Sequence, residues 1–569
     1  MGIHPIIAIK KIDRYDLILL LILAGALFVR IWGLNDYYYN GDEIQFIIIA
    51  KGETLKEVWR RGLAEMHPPL MQFIRHFILM LAPDVLAQRL VSVILGMISI
   101  LGFYRVGLLL RGKSLGLFCA LCMAFMPVTV TTSIVVRNYA LMMAFLSWGL
   151  FFFLRYQQKE KTRDLLVCSA LFFLACASHF SGFFVAGACG LCEGVYQLRE
   201  GRIKKLLPLC VSFIPILLLG IFFAYFYMAP GRAGPIWHKL TIDTGFYSTA
   251  FTSKLYDTLL SVYFYFTPFL YLGDVNDLPI FIACLFVSGA WFLAFYIMGL
   301  RKVYECTPRL FYLIVIIWIV GVTSSLLGFY PFGSNRHNTY FLVFFILPFG
   351  YLLDSWITEI LKHSHSIEYT AVILIAVVLF TENTGYYWHY YGTEFDLKQN
   401  DYDATQEFLN NHLQPGDIIV TGRLDAYHYL LFARDAGKTP YDYFQDVPYV
   451  HQSTIWAPYD TPFKPYRGWL AFRDDLASRL PEKSVLSTAR VWFVMYGWKN
   501  TEIWHLMECK TAQQYIHDFF SRDGTVVFNM SVSELREFLK DPNAWQACYA
   551  DYKPIIYGIA FESVKNPNP

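Results

Sequence analysis

The sequence predicts a polytopic α-helical membrane protein with an α/β domain at its C-terminal end. Of the 569 residues, 56% are hydrophobic, 18% are aromatic and only 16% are charged, and the mean hydropathy is +0.39. Apolar runs of about 20 residues, the length that crosses a bilayer, recur through the first two thirds of the chain. After residue 387 the composition becomes mixed. These features exclude an ordinary soluble protein of this length.

The apolar runs give eleven candidate spans. They lie near residues 16–34, 90–110, 115–135, 138–155, 165–179, 182–198, 206–228, 278–300, 309–330, 339–360 and 367–386. The first run is not expected to be a cleavable signal, because it is long, contains Arg30 and is followed by YYYN rather than by small residues. We therefore predict about eleven transmembrane helices.

Basic residues predict the orientation of these spans. Every second connection is basic, and such connections are expected on the cytoplasmic side. The residues concerned are Lys10, Lys11, Arg14, Arg111, Lys113, Arg155, Lys159, Lys161, Arg163, Arg199, Arg202, Lys204, Lys205, Arg301, Lys302 and Lys362. A cytoplasmic N-terminus and an odd number of spans place the C-terminus outside. The net charge of +2 and the clustering of the basic residues of the first two thirds of the chain in short loops give no indication of a nucleic-acid partner.

Two domains follow from this topology. Residues 1–386 form the transmembrane module, whose first outer loop spans 35–88, and residues 387–569 form an extracytoplasmic α/β domain. In that domain, DATQEFLNNHLQPGDIIVTG is typical of an amphipathic helix, a turn and a strand, and RVWFVMYG is typical of another strand. Helices are expected near 403–413 and 531–540.

The eleven cysteines give little sign of metal or redox chemistry. The CxxC pairs Cys119 with Cys122 and Cys189 with Cys192 lie inside apolar spans, where a cysteine ordinarily acts as a small apolar side chain. Cys509 and Cys548 are the cysteines of the outer domain. A disulfide between these two is left open.

The first outer loop carries an acidic pair, Asp42 and Glu43, in the stretch YNGDEIQ. The pair is either part of a solvated surface or part of a catalytic site at a membrane face. The same loop continues with EMHPPLMQF, in which two prolines fix the direction of the chain after His67. Residues 70–81 are apolar, but Arg75 and His76 interrupt them and they are too short to span, so they are expected to lie at the interface.

Further polar residues fall on the same predicted face. A single arginine at a span end is most often an anchor at the interface, and a histidine in a tight turn is usually structural. Their coincidence with an acidic pair favours function, because carboxylates suit proton abstraction and arginines suit an anionic leaving group. These residues are Arg89, Arg137, Asn138, His179, Ser181, Arg336 and His337.

In this order, the motifs resemble those of the C-type (GT-C) membrane glycosyltransferases. They are the acidic pair, HPPL, RNYAL at 137–141, SHFSG at 178–182 and NRHNTYFLVFFILP before the tenth span. The nearest groups are the protein O-mannosyltransferases and the bacterial aminoarabinose-to-lipid A transferases. The resemblance covers residues 1–360 and implies the GT-C fold.

The resemblance also implies a reaction. A sugar would pass from a polyprenyl-phosphate carrier in the membrane to a glycan, lipid or protein acceptor outside, with inversion at the anomeric carbon. Asp42 would be the catalytic base and Glu43 would orient the acceptor. The donor phosphate would be bound by Arg336, then Arg137, with His67 and His179 assisting, and the substrate by Tyr139, Asn138 and His337. The carrier implied is undecaprenyl phosphate in a bacterial plasma membrane, and an archaeal carrier of the dolichol type is left open.

No metal ligands are assigned. The acidic residues of the first loop are adjacent and form no D-x-D motif, and no third carboxylate is identifiable as a ligand, so dependence on a divalent cation is left open. The alternative function is a transporter or flippase of lipid-linked sugars, which would also need basic residues near phosphate. A transporter should place its polar residues near the bilayer midplane in interrupted helices. The sequence does not choose the sugar or the acceptor.

Overall fold

The computed structural model describes residues 13–32, 34, 41–50, 54–64, 68–82, 85–228, 293–327 and 336–360, and short segments between 408 and 540. The chain divides into two compact units. The first contains Met1–Tyr37 and Phe46–Phe395, and the second contains Tyr38–Gln45 and Asp396–Pro569. The predicted domain boundary at residues 386 and 387 lies outside the described residues.

The described part of the first unit is helical. Its helices are α1 (Arg14–Ile31), α2 (Gly41–Ala50), α3 (Leu55–Ala64), α4 (Leu70–Leu81), α5 (Val85–Arg111), α6 (Lys113–Phe125), α7 (Pro127–Ile134), α8 (Tyr139–Lys159), α9 (Thr162–Ser178), α10 (Gly182–Arg199), α11 (Ile203–Met228), α12 (293–306), α13 (Pro308–Leu326), a 3₁₀ turn (Arg336–Phe341) and α14 (Leu342–Ile360). Helix α2 begins in the short segment that belongs to the second unit.

Five of the described helices are long and apolar enough to cross a membrane: Leu86–Arg111, Tyr139–Lys159, Ile203–Tyr225, Pro308–Leu326 and Asn338–Trp356. Each coincides with a predicted span. Helices α1, α9 and α10 also form where spans were predicted. The predicted span 367–386 lies outside the described residues, so the total of about eleven stays a prediction. The short α4 forms over the segment expected at the interface.

The predicted span 115–135 is not one straight helix. Helices α6 and α7 are bent by 60° to each other, because Pro127 lacks a backbone N–H and disfavours the helical conformation of the residue before it. Met126 accordingly has ψ 132°. The predicted span at 115–135 is therefore broken in the structure, and Pro127 is the signal of the break in the sequence.

Contacts join the helix ends whose connections are basic. Lys113 pairs with Asp13, Arg111 with Asp354 at 2.9 Å, and Arg202 with Glu160 at 2.7 Å. The Glu160 carboxylate also pairs with Lys205, and that hydrogen bond is the main reason that the pKa of Glu160 is lowered. The basic connections therefore meet at one end of the bundle, as their alternation in the sequence predicts.

Between the helices lies one large apolar core, formed mainly by α5, α6, α8, α9, α10, α13 and α14. Two glycines allow close helix contacts within it. A Cβ atom on Gly107 would lie 2.6 Å from the Leu115 carbonyl oxygen, and one on Gly299 would lie 2.2 Å from that of Pro348. Both predicted CxxC pairs lie in this core as buried free thiols, which agrees with their interpretation as apolar packing.

The second unit contains a mixed five-stranded sheet of order β2-β1-β3-β5-β4. The strands are β1 (Ile418–Thr421), β2 (Tyr449–His451), β3 (Arg490–Tyr496), β4 (Phe519–Arg522) and β5 (Thr525–Ser531), followed by α15 (Val532–Lys540). Strand β1 runs parallel to β2 and β3, while β5 runs antiparallel to β3 and β4. The predicted strands at β1 and β3 and the predicted helix at 531–540 are all present. Cys509 and Cys548 lie outside the described residues.

A capping box starts α15. The amide of Glu534 donates to the Ser531 hydroxyl oxygen at 3.2 Å, and the Ser531 amide donates to the Glu534 carboxylate at 3.0 Å. His517 contacts the same carboxylate at 2.6 Å. Burial raises the pKa of Glu534, but the hydrogen bonds from Ser531 and His517 outweigh it, so that the pKa is lowered.

Candidate functional site

Three polar turns meet at the end of the bundle opposite the basic connections. They are residues 135–138 before α8, residues 179–181 before α10 and the 3₁₀ turn before α14. The Asn138 side-chain amide donates to the Ser178 carbonyl at 2.9 Å and so joins the first two turns. The ring of Tyr340 stacks on Phe184 with centroids 5.4 Å apart and so joins the second to the third. We call this arrangement the three-turn cluster.

Arg137 is the cation of this cluster whose side chain is described. Its guanidinium lies 4.6 Å from the centroid of the Phe46 ring. Arg137 is 8% exposed and Phe46 is 1% exposed, so this cation–π contact is made away from water, where such contacts are strongest. A guanidinium held against a ring presents its edge in a fixed direction, which suits binding of a phosphate.

Arg75 of α4 lies behind this turn. The side chain is fully buried and donates to the Gln88 carbonyl at 3.3 Å and the Ser92 hydroxyl at 3.2 Å, both on α5. It also reaches the backbone carbonyl of Arg137 at 3.5 Å. In the sequence, Arg75 is only an interruption of an apolar segment. A charged residue in such a segment is the signal that could have assigned it to the site.

His179 and Tyr139 pack together within the cluster. Their ring centroids are 5.0 Å apart, and both residues are 3% exposed. The His179 Nδ1 accepts the Ser181 amide N–H at 3.2 Å and lies 2.7 Å from the Ser181 hydroxyl. The same hydroxyl lies 2.9 Å from the Met142 sulfur. Because Nδ1 acts as an acceptor from the backbone, the neutral ring carries its proton on Nε2.

The 3₁₀ turn contributes Asn338, Thr339 and Tyr340, each 1% exposed. Among the residues that the structure describes, the Thr339 and Tyr340 hydroxyl groups have no hydrogen-bond partner. Buried hydroxyl groups are normally paired, and an exception calls for an explanation such as a ligand. Arg336 and His337 begin this turn, which places both predicted residues on it at the level of the backbone. Their side chains are outside the described part.

The acidic pair lies on α2 rather than in an irregular loop. Glu43 is 1% exposed, which does not fit a solvated surface. For Asp42 the structure describes the backbone only, and His67 lies outside the described residues. The predicted roles of all three residues therefore stay predictions.

The electrostatics of the cluster favour an anion. Helices α8 and α10 begin in it, and the N-terminal end of a helix carries partial positive charge. The Asn138 side chain makes no capping bond to α8, since it donates to Ser178 instead. No group of three or more histidine, cysteine or acidic residues that could hold a metal ion occurs in the described part of the chain.

Comparisons with known proteins agree with the predicted resemblance. Residues 66–226 match the family model described as dolichyl-phosphate-mannose-protein mannosyltransferase. The structure is similar to ArnT from Cupriavidus metallidurans bound to undecaprenyl phosphate, with a TM-score of 0.51, 13% identity, and coverage of 90% of this chain and 97% of that chain. This similarity shows the fold, and with the family match it confirms the resemblance to the C-type membrane glycosyltransferases.

Two structures of an Archaeoglobus fulgidus oligosaccharyltransferase are more distantly similar. The complex with zinc and sulfate has a TM-score of 0.46 and 12% identity, and covers 90% of this chain and 72% of that chain. The AglB complex with an inhibitory peptide and a dolichol-phosphate has a TM-score of 0.44 and 13% identity, with 90% and 74% coverage. By sequence, no curated protein matches the chain.

Proposed function

We propose that this protein is an inverting membrane glycosyltransferase that moves a sugar from a polyprenyl-phosphate carrier to an acceptor hydroxyl on the extracytoplasmic face. The observation that carries the proposal is the three-turn cluster. It gathers a buried guanidinium, two helix N-terminal ends and two buried hydroxyl groups at one end of a membrane bundle. Each of these features stabilises a phosphate.

In this reaction Asp42 acts as the general base. Its carboxylate takes the proton of the acceptor hydroxyl, and the oxygen attacks the anomeric carbon from the face opposite the phosphate. The bond between that carbon and the phosphate oxygen breaks in the same displacement, so the configuration inverts. Glu43, on the same helix, orients the acceptor.

The leaving polyprenyl phosphate gains negative charge as the bond breaks. Arg336 and Arg137 meet that charge, and a cation fixed in place before the reaction does so without reorganisation. His179 donates a hydrogen bond from Nε2 to the phosphate, and His67 assists in binding the phosphate. The substrate-binding site is lined by Asn138, Tyr139 and His337. ArnT from Cupriavidus metallidurans, a structure of similar fold, is bound to undecaprenyl phosphate, which supports this lipid as the carrier.

The test is transfer from a panel of radiolabelled undecaprenyl-phosphate sugars to an envelope extract, by the purified protein in detergent. We expect wild type to transfer at least one sugar. Asp42→Asn should lower the rate by about 100-fold or more, the usual contribution of a general base, while undecaprenyl phosphate binding persists. Glu200→Gln, at the exposed end of α10, is the matched control and should transfer at the wild-type rate.

Three outcomes carry information. Unchanged transfer by Asp42→Asn removes that residue as the base. Failure of wild type to transfer any sugar of the panel contradicts the proposed reaction. Transfer that stops when a chelator is added, and returns with a divalent ion, adds a metal to the site and calls for a search for its ligands.

One observation favours the alternative, a transporter or flippase of lipid-linked sugars. The break between α6 and α7 is the kind of interrupted helix on which transporters build their sites. In a transporter, however, the interruption lies near the bilayer midplane. Movement of a labelled undecaprenyl-phosphate sugar across proteoliposomes, without transfer to acceptor, is the result that this alternative requires.

A further inference from the structure

Arg30 is a charged residue buried in the apolar helix α1. It is 1% exposed, and a buried guanidinium is costly unless its N–H groups are paired. Its Nε donates to the Ser133 hydroxyl oxygen at 2.7 Å, its Nη1 to the Ala124 carbonyl at 2.7 Å and the Ala26 carbonyl at 3.1 Å, and its Nη2 to the Met123 carbonyl at 3.1 Å.

Two of these acceptors belong to the break between α6 and α7. In a continuous helix the Met123 carbonyl would accept from residue 127, but Pro127 has no N–H. The extended conformation of Met126 also ends the regular bonding of the last turn of α6. Arg30 therefore supplies donors to carbonyls that the break takes out of the helical ladder.

The third acceptor lies on the other side of the break. The hydroxyl of Ser133, on α7, lies 2.7 Å from the Thr129 carbonyl and 2.9 Å from the Val130 carbonyl. It donates its proton to one of them and accepts from Arg30. The space is tight, because a Cβ atom on Gly96 of α5 would lie 2.5 Å from the Ser133 Cβ. One guanidinium thus joins both segments of the broken span.

The orientation of α7 determines where Arg137 lies. Helix α7 ends at Ile134, and Arg137 follows three residues later, with its amide bonded to the Val135 carbonyl at 2.8 Å. Two residues, Val135 and Val136, lie between the helix and Arg137, so a rotation of α7 carries Arg137 with it. Helix α7 also packs against the 3₁₀ turn of the cluster.

We propose that Arg30 is a positioning residue for sugar transfer, which holds the α6–α7 break at the angle that places Arg137 against the donor phosphate. This rests on the proposed function, because the phosphate is that of the polyprenyl donor. Arg30 does not contact the substrate. Its effect reaches the reaction through α7, and a displacement of about 1 Å at a positioning group can cost on the order of 100-fold in rate.

The experiment compares the full-length wild type with Arg30→Met, Arg30→Lys and the matched control Arg105→Met, an exposed arginine of α5. Hydrogen exchange of residues 127–139 and binding of undecaprenyl phosphate are measured on each. Arg30→Met should exchange at least about tenfold faster in this segment and bind the lipid at least about tenfold more weakly. Arg30→Lys should recover part of both losses, and Arg105→Met should match wild type.

A double variant separates positioning from stability. Pro127→Ala restores the missing N–H, so Arg30→Met with Pro127→Ala should regain the wild-type melting temperature by forming a continuous helix. Lipid binding should stay weak, because the bend is lost. Recovery of both properties would overturn the proposal and leave Arg30 a stabilising role only.

The remaining outcomes are also decisive. Wild-type exchange in Arg30→Met overturns the role of Arg30 at the break. Faster exchange with normal lipid binding overturns its link to Arg137. If wild type itself binds no undecaprenyl phosphate while exchange responds as expected, the proposed function fails and the packing role of Arg30 stands.

Discussion

The contact between Phe46 and Arg137 gives the sharpest test of the phosphate site. Phe46→Leu removes the ring on which the guanidinium lies and keeps an apolar side chain there. With both residues buried and 4.6 Å between the guanidinium carbon and the ring centroid, the cation–π contact is worth about 2 kcal/mol. Without this contact, the Arg137 side chain is not held in place before phosphate binds, and binding must order it. At 1.4 kcal/mol per tenfold, binding of undecaprenyl phosphate should weaken by up to about 30-fold.

The assay is a titration of undecaprenyl phosphate into purified protein, at fixed detergent concentration. Phe103→Leu is the control, since Phe103 is also 1% exposed but lies within the apolar core on α5. Both variants lose similar packing, so a loss of affinity confined to Phe46→Leu reports the contact with Arg137. Wild-type affinity in Phe46→Leu, or an equal loss in Phe103→Leu, would refute the role of Arg137 as a phosphate ligand.

Three further predictions concern packing, a buried hydroxyl group and pH. Gly96→Ala should destabilise the protein by about 1–3 kcal/mol through overpacking, whereas Gly187→Ala, where a Cβ meets nothing within 4 Å, should not; thermal melting in detergent compares them. Tyr340→Phe removes a buried hydroxyl group that has no partner among the described residues, so it should raise the melting temperature yet reduce donor binding, measured on the same samples. The lowered pKa of Glu534 means that its carboxylate stabilises the second unit at pH values above the ordinary pKa of 4.5 and that this stability is lost as the pH falls through the folded-state pKa. Protection factors of the amides of residues 525–540, corrected for intrinsic exchange at each pH, should therefore depend less on pH in Glu534→Gln.

Much of the bundle could be predicted from the sequence because bilayer-length apolar runs leave little choice of structure. The α5 and α8 spans form within a few residues of their expected bounds. The break at Pro127 was missed because the apolar run continues through it and hydropathy averages over a window. A single proline with an extended residue before it interrupts the helix without ending the apolar run.

The polar residues fall into two groups: those predicted from sequence motifs and those whose role was found only in the structure. Arg137, Asn138 and His179 were predicted from motifs and lie together in one cluster. Arg30 and Arg75 were seen only as charges within apolar runs, because their partners are mainly backbone carbonyls and hydroxyl groups far away in the sequence. Partners of this kind leave no pattern in the chain, so the tertiary structure was needed to find them.

The two arginines that support the cluster argue for a site that is rigid before substrate arrives. Arg30 fixes α7 through both sides of a break, and Arg75 ties α4 and α5 to the carbonyl of Arg137. Placing two cations in a membrane bundle is expensive, and a continuous apolar helix without the break would leave Arg30 without the Met123 and Ala124 carbonyls as acceptors. In return, the turn that carries Arg137 is held in one direction by several helices together. A reaction with an anionic leaving group requires preorganised cations. If the guanidinium had to be ordered during the reaction, the free energy of ordering it would offset part of its stabilisation of the leaving group.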